Sequence, residues 1–222
     1  MATSQRAPRS DAASNRVRLI DVTLGLLAAN AHSSMHDVAA AAGVGRVTLY
    51  NHFDSREALI EAVFQRQIAR AEAALDLDDA TLEPSARLES CVASSWQIMA
   101  GLHGLMNAAV AALGPERVRE EHERLVERIE KIISAGILSG AFRSTQPARW
   151  LAEIYFDLVH GAAMRSDSRT SNSEPENQAA RDIAEMLAHS MLMLVGAHSG
   201  QADGASPAPA VGVADAAASS IR

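Results

Sequence analysis

Apolar residues recur at intervals of three and four along most of this chain, and no segment alternates apolar with polar residues convincingly enough to suggest a half-buried strand. The pattern predicts an all-α protein. Val17, Ile20, Leu24, Leu27 and Ala28 mark a first helix over 14–30, and Ser33 or Ser34 can cap a second. Another begins near Ser55 and runs through Leu59, Val63, Phe64 and Ile68 toward Leu75, long enough to link two domains. The apolar region 86–112 is interrupted by Gly101 and Gly104, which predicts a kinked or divided helix. Gly114-Pro115 opens a helix whose stripe of Val118, Leu125, Ile129, Ile132 and Ile133 lies opposite the charge pairs Glu120/Arg124 and Glu127/Lys131. Pro147 opens the next, with a wide apolar face, and after a polar loop over 166–177 a final helix is expected over 178–196.

One stretch, 38–59, reads VAAAAGVGRVTLYNHFDSREAL and breaks this monotony. An alanine-rich helix ends at Gly43, which can take the positive φ of a tight turn, and Val44 plugs that turn. After it, Gly45 to Phe53 can form a short helix in which Leu49 and Phe53, four apart, face inward. Arg46, Val47, Thr48, Tyr50, Asn51 and His52 are then left outside, as a helix-turn-helix reading a major groove requires.

Here the residues resemble the DNA-binding domain of the tetracycline-repressor (TetR) family. Val38, Ala39, Ala42, Gly43, Val44, Leu49, Tyr50, His52, Phe53, Glu57, Ala58 and Leu59 fall on its pattern, with Leu-Tyr-x-His-Phe at its proper distance from Ala-Gly-Val. Gly45 stands where the family commonly has a capping serine, Arg56 where it has a lysine, and the spacer 28–37 is about two residues shorter than usual. The resemblance implies a homodimer joined through its last two helices, and a larger domain enclosing a small-molecule effector that changes the separation of two DNA-binding heads.

Composition separates the reading head from the rest. Net charge is −7, but residues 1–70 carry +2 and residues 71–222 carry −9. An acidic body behind a mildly basic head favours docking on DNA in one orientation, or serves only solubility. Cys91 is the single cysteine, so an internal disulfide and a cysteine-rich zinc site are excluded. No apolar run approaches the ~20 residues that span a bilayer, and a cytoplasmic protein without a membrane partner is expected. Residues 1–13 and 200–222, polar or small throughout, are expected to be a disordered arm and tail around a DNA-binding domain over 14–60 and an effector-binding and dimerisation domain over 61–199.

Candidate sites follow. For DNA they are Ser34, Gly45, Arg46, Val47, Thr48, Tyr50, Asn51, His52 and Arg56. Arg46 has a fork that matches guanine O6 and N7, Arg56 one that can grip a phosphate, and Gly45 and Val47 offer only backbone or methyl contacts. Tyr50 and His52 suit phosphates or, alternatively, packing between helices. For an effector, Trp96, Met99, His103, Met106 and Asn107 crowd one segment, with Phe142, Trp150 and Tyr155 as an opposite wall; the alternative for each is ordinary core. Leu151, Leu158, Ile183, Leu187, Met191 and Leu194 are expected at the dimer interface. Neither cofactor nor metal is expected. Glu153, Asp157 and His160 share a helical face, but a solvated or dimer-edge face suits them better than a cation. The chain reads as a repressor released from a near-palindromic operator by its effector. An effector-independent activator or architectural protein is the alternative, and a helical metal-dependent enzyme a more distant one.

Overall fold

The computed structural model describes residues 8–75, 82–99, 102–166 and 174–197, and among them there are nine helices and no strand. In chain order they are α1 (Pro8–Ala29), α2 (Met35–Ala42), α3 (Arg46–Tyr50), α4 (Arg56–Leu75), α5 (Pro84–Met99), α6 (His103–Leu113), α7 (Pro115–Leu138), α8 (Ala148–Ser166) and α9 (Glu174–Val195).

Helix α1 starts at Pro8, where a disordered arm was expected through residue 13. Proline lacks only an N–H that a first turn leaves unused, and Ala12 and Ala13 favour the helix that follows. The divided helix over 86–112 is present as α5 and α6. Helix α9 starts at Glu174, four residues earlier than its apolar stripe indicates. Residues 1–7 of the expected arm and the tail 200–222 lie outside the described residues.

Buried side chains form two clusters. In the first, Leu19, Leu27, Val38, Leu49, Phe53, Leu59 and Phe64 from α1–α4 and the turn after α3 meet Leu105, Ala108 and Ala109 of α6. The second joins Trp96, Ile129, Ile133, Leu151, Tyr155, Val159, Met191 and Val195 of α5, α7, α8 and α9. Helix α4 belongs to both, since Phe64 lies in the first and Leu75 in the second. Helix α6 presses against the end of α1 at Gly104: a Cβ there would stand 1.7 Å from the Leu27 carbonyl oxygen. The first cluster therefore extends beyond α1–α3 and takes in α4 and α6.

After α7 the chain folds back. The Phe142 N–H donates to the Gly136 carbonyl at 3.0 Å, and its ring lies where a Cβ on Gly136 would be, 2.2 Å away. Gly140, at φ 79°, makes the reversal.

Candidate DNA interface and effector cavity

The head is built by capping and by two arginines. Ser34 caps α2 reciprocally, accepting from the Asp37 N–H while the Asp37 carboxylate accepts from the Ser34 N–H. Those bonds hold the Asp37 carboxyl below the usual carboxylate range, the Ser34 backbone donor being the main cause. Gly43 sits at φ 64°, ψ 33°, and its N–H closes α2 against Ala39 and Ala40. Arg18 of α1 donates to the Ala42 carbonyl, fixing the turn from the other side.

Helix α3 follows Gly45, whose extended backbone begins it with no side-chain cap. Leu49 is fully buried and Phe53 nearly so, which turns the opposite side of α3 outward. Arg46 and Asn51 are exposed, Val47 is 74% exposed, Tyr50 is exposed, and Thr48 and His52 are half-buried. The Arg46 guanidinium lies 5.8 Å from the Tyr50 ring centre, within cation–π range, so it is held along the exposed face of α3. The chemistry presented is one bidentate donor, amide and hydroxyl groups, and the Val47 methyls.

Arg56 is placed differently from the phosphate grip expected of it. Its Nε donates to the Ser33 carbonyl at 2.9 Å and its Nη2 to the Ala31 carbonyl at 2.7 Å. Both carbonyls belong to the loop between α1 and α2. That loop is short, and its outward carbonyls need a donor that neither helix supplies. The guanidinium fork that would have reached a phosphate is engaged within the head.

A cavity of about 60 Å³ lies between α4, α5, α6, α7 and α8. Met99 and Met106 line it, as the sequence suggests, but Trp96, His103, Asn107, Phe142, Trp150 and Tyr155 do not. Trp96 and Phe142 are buried in the body core, Asn107 is exposed, and Trp150 is 51% exposed. Tyr155 is anchored in that core too: its hydroxyl donates to the Cys91 carbonyl at 2.8 Å and lies 2.6 Å from the Ser95 hydroxyl. The same burial pushes the Cys91 thiol up to about 11.

The cavity's polar lining consists of Gln67 of α4, His122 of α7 and His160 of α8. His122 stacks on His160 with ring centres 5.5 Å apart and meets the Phe156 edge at 4.8 Å. Burial holds both imidazoles below the ordinary histidine value, and for His160 the neighbouring His122 acts in the same direction. The His122 Nε2 is buried with no hydrogen-bond partner. None of these three is among the effector contacts expected from sequence, where His160 was weighed only for a cation. The legible hint was His122 and Leu125 on the same turn of the amphipathic seventh helix, a histidine three residues before a core leucine.

Close by, the Glu121 carboxylate is 1% exposed and accepts from Arg117 at 2.8 Å, Arg124 at 2.9 Å and, across from α4, Gln65 at 3.3 Å. Glu153, considered above beside Asp157 and His160, is engaged at 2.9 Å by Arg149, which also holds Glu123 at 2.7 Å.

The expected dimer contacts divide in two. Leu151, Leu187 and Met191 are buried within the chain's own core, whereas Leu158 and Ile183 are half-buried and Leu194 is 44% exposed. Helical faces here are wide, so the centre of an apolar stripe is consumed inside the protomer. Trp150 and Met164 of α8 and Met186 and Met193 of α9 are the large apolar side chains left outside, beside Leu194.

A capped helix, a glycine turn and a short second helix with an outward polar face, carried on a helical body, define a helix-turn-helix DNA-binding protein. Residues 19–63 match the family described as bacterial regulatory proteins, tetR family. The matched residues are the head, and the chain is a DNA-binding transcriptional regulator whose head is similar to that family's. It is 29% identical over 163 residues to the HTH-type transcriptional repressor DhaR of Mycobacterium sp. (strain GP1), covering 70% of this chain and 82% of that one. A TetR-family transcriptional regulator from Agrobacterium tumefaciens superposes with a TM-score of 0.66 at 19% identity, over 84% of this chain and all of the other. AibR, solved with isovaleryl coenzyme A and operator DNA, superposes at 0.61 and 16% identity, over 83% of this chain and 100% of that chain.

Proposed function

We propose that this protein is a homodimeric, cytoplasmic, non-catalytic repressor that leaves a near-palindromic operator when a small molecule occupies the cavity between α4 and α8. The observation that carries this reading is the position of α4. One end of this helix contributes Leu59 and Phe64 to the core of the head, and its middle contributes Gln67, Ile68 and Ala71 to the wall of the cavity. A ligand that fits better when α4 is displaced shifts the protein toward that arrangement by its differential affinity alone. The repressor role follows the likeness to DhaR, and operator and effector binding follow the likeness to AibR. No helix among the described residues is long and apolar enough to cross a membrane.

Residues 14–60 are the reading head and 61–199 the effector and dimer unit. Arg46, Val47, Thr48 and Asn51 face the bases, while Tyr50, His52, Gly45 and Ser34 serve the backbone. Dimerisation uses the outer faces of α8 and α9, centred on Met164, Met186, Met193 and Leu194. Two heads about 34–36 Å apart then enter successive major grooves.

The small size of the cavity favours a second reading, an effector-independent DNA binder whose body is filled by its own side chains. The two readings separate in a binding assay with a selected operator: Gln67→Trp, which fills the cavity, should lock the operator affinity against every small molecule that releases the native protein. If nothing releases the native protein, the second reading stands.

A further inference from the structure

The cavity's lining limits what can occupy it. Room of about 60 Å³ accepts on the order of four to six non-hydrogen atoms before the walls move, and Met99 and Met106 are the adaptable walls. No Lys, Arg, Asp or Glu is among the described residues that line it. An ion entering would lose its hydration without a fixed countercharge, a cost that rises steeply in an apolar enclosure.

Polar groups nonetheless line the cavity, and one of them is buried without a partner. Gln67 is 5% exposed and contributes to the cavity wall. The His122 Nε2 is buried with no hydrogen-bond partner. Buried polar groups in native proteins are nearly always paired, so an orphan nitrogen on a residue lining a cavity indicates a missing partner. An uncharged imidazole nitrogen either accepts or donates according to its tautomer, and an amide does both. A hydroxyl or a carbonyl can satisfy them; an aliphatic molecule with no polar atom cannot.

Resting on the reading of this cavity as the effector site, we propose that its ligand is a compact, uncharged, mainly apolar molecule carrying one hydroxyl or carbonyl group, which Gln67 and the His122 Nε2 hydrogen-bond. The phenyl ring of Phe156 and the side chains of Ile68 and Leu125 cover the apolar part.

The test uses the full-length protein and four probes of nearly equal size: butan-1-ol, butan-2-one, butyrate and n-butylammonium. Binding is followed by ligand-observed NMR and by the shift in Tm, and release from DNA by the mobility of an operator complex. Saturable binding of the alcohol and the ketone at millimolar concentration, at least about tenfold tighter than either ion, is the expected result. Gln67→Leu and His122→Phe should each weaken it by about tenfold while both variants keep a cooperative melting transition. Ions binding as well as the neutral probes, and losing affinity in the same variants, would overturn the ligand class but leave the cavity as the effector site. Neutral probes that bind in a Gln67-dependent way without releasing DNA would uphold the class and refute the effector reading. Absence of binding by all four, or binding indifferent to both substitutions, overturns the proposal.

Discussion

Gly104→Ala tests the joint between head and body. Its new Cβ would meet the Leu27 carbonyl oxygen at 1.7 Å, the Leu27 carbonyl carbon at 2.6 Å and the Ala28 Cα at 3.3 Å. All three are backbone atoms at the end of α1, so no side chain can swing aside, and α6 must move by more than an ångström. Overpacking of this kind costs typically ~1–3 kcal/mol, and the backbone overlap puts it at the upper end. Alanine recovers up to ~1 kcal/mol of helix propensity, leaving a net loss of about 2 kcal/mol. For a chain of this length that is a fall in Tm of roughly 4–8 °C. Thermal unfolding followed by circular dichroism at fixed protein concentration measures it. Gly25→Ala is the control, since Gly25 sits in α1 with nothing within 4 Å of its would-be Cβ, and it should gain ~0.5–1 kcal/mol. If Gly104→Ala behaves like Gly25→Ala, the close approach of α6 to α1 is not present in solution and α6 is not packed into the core of the head as described.

Other substitutions probe the head, the cavity and the dimer. Arg46→Ala should relax base preference with little effect on Tm, whereas Arg56→Ala, by freeing the Ala31 and Ser33 carbonyls, should destabilise the fold by ~1–3 kcal/mol; sequence-resolved binding and denaturant midpoints separate the two, and an unchanged midpoint for Arg56→Ala would return that residue to the phosphates. His122 and His160 titrate below their unfolded value of about 6.5, so the unfolded chain binds more protons in that window. Their contribution is complete above pH ~6.5 and is lost as pH falls through the folded values, and His122→Phe should flatten the fall in denaturant midpoint between about pH 7 and 5. Met193→Glu places a charge on the outer face of α9, and sedimentation should show monomers with operator affinity reduced by at least about tenfold; an intact dimer would move the interface elsewhere.

The head was the most legible part because its signals are local. A capping serine, a glycine needing positive φ and two inward residues four apart all act within a few bonds of one another, and Ser34, Gly43, Leu49 and Phe53 occupy those roles. The role of Arg56 was not legible, since its partners are carbonyls 23 and 25 residues away whose need for a donor depends on how the α1–α2 loop turns. The body shows the same limit more strongly. Periodicity located its helices but not the rotation of each about its axis, so Tyr155 and Trp96 could be read as cavity walls when they are core, and His122 and Gln67 passed unnoticed on faces that tertiary packing alone turns inward. Leu187 and Met191 were placed at a dimer interface for the same reason, being the centre of a stripe of which only the edges reach the surface.

The most direct test of sequence-specific DNA reading is selection of random DNA duplexes by the purified protein at moderate salt, followed by sequencing of what is retained. A two-headed reader predicts enrichment of an inverted repeat whose half-sites lie about one helical turn apart, lost in Arg46→Ala. Retention of unselected DNA, with no enriched repeat, would contradict it.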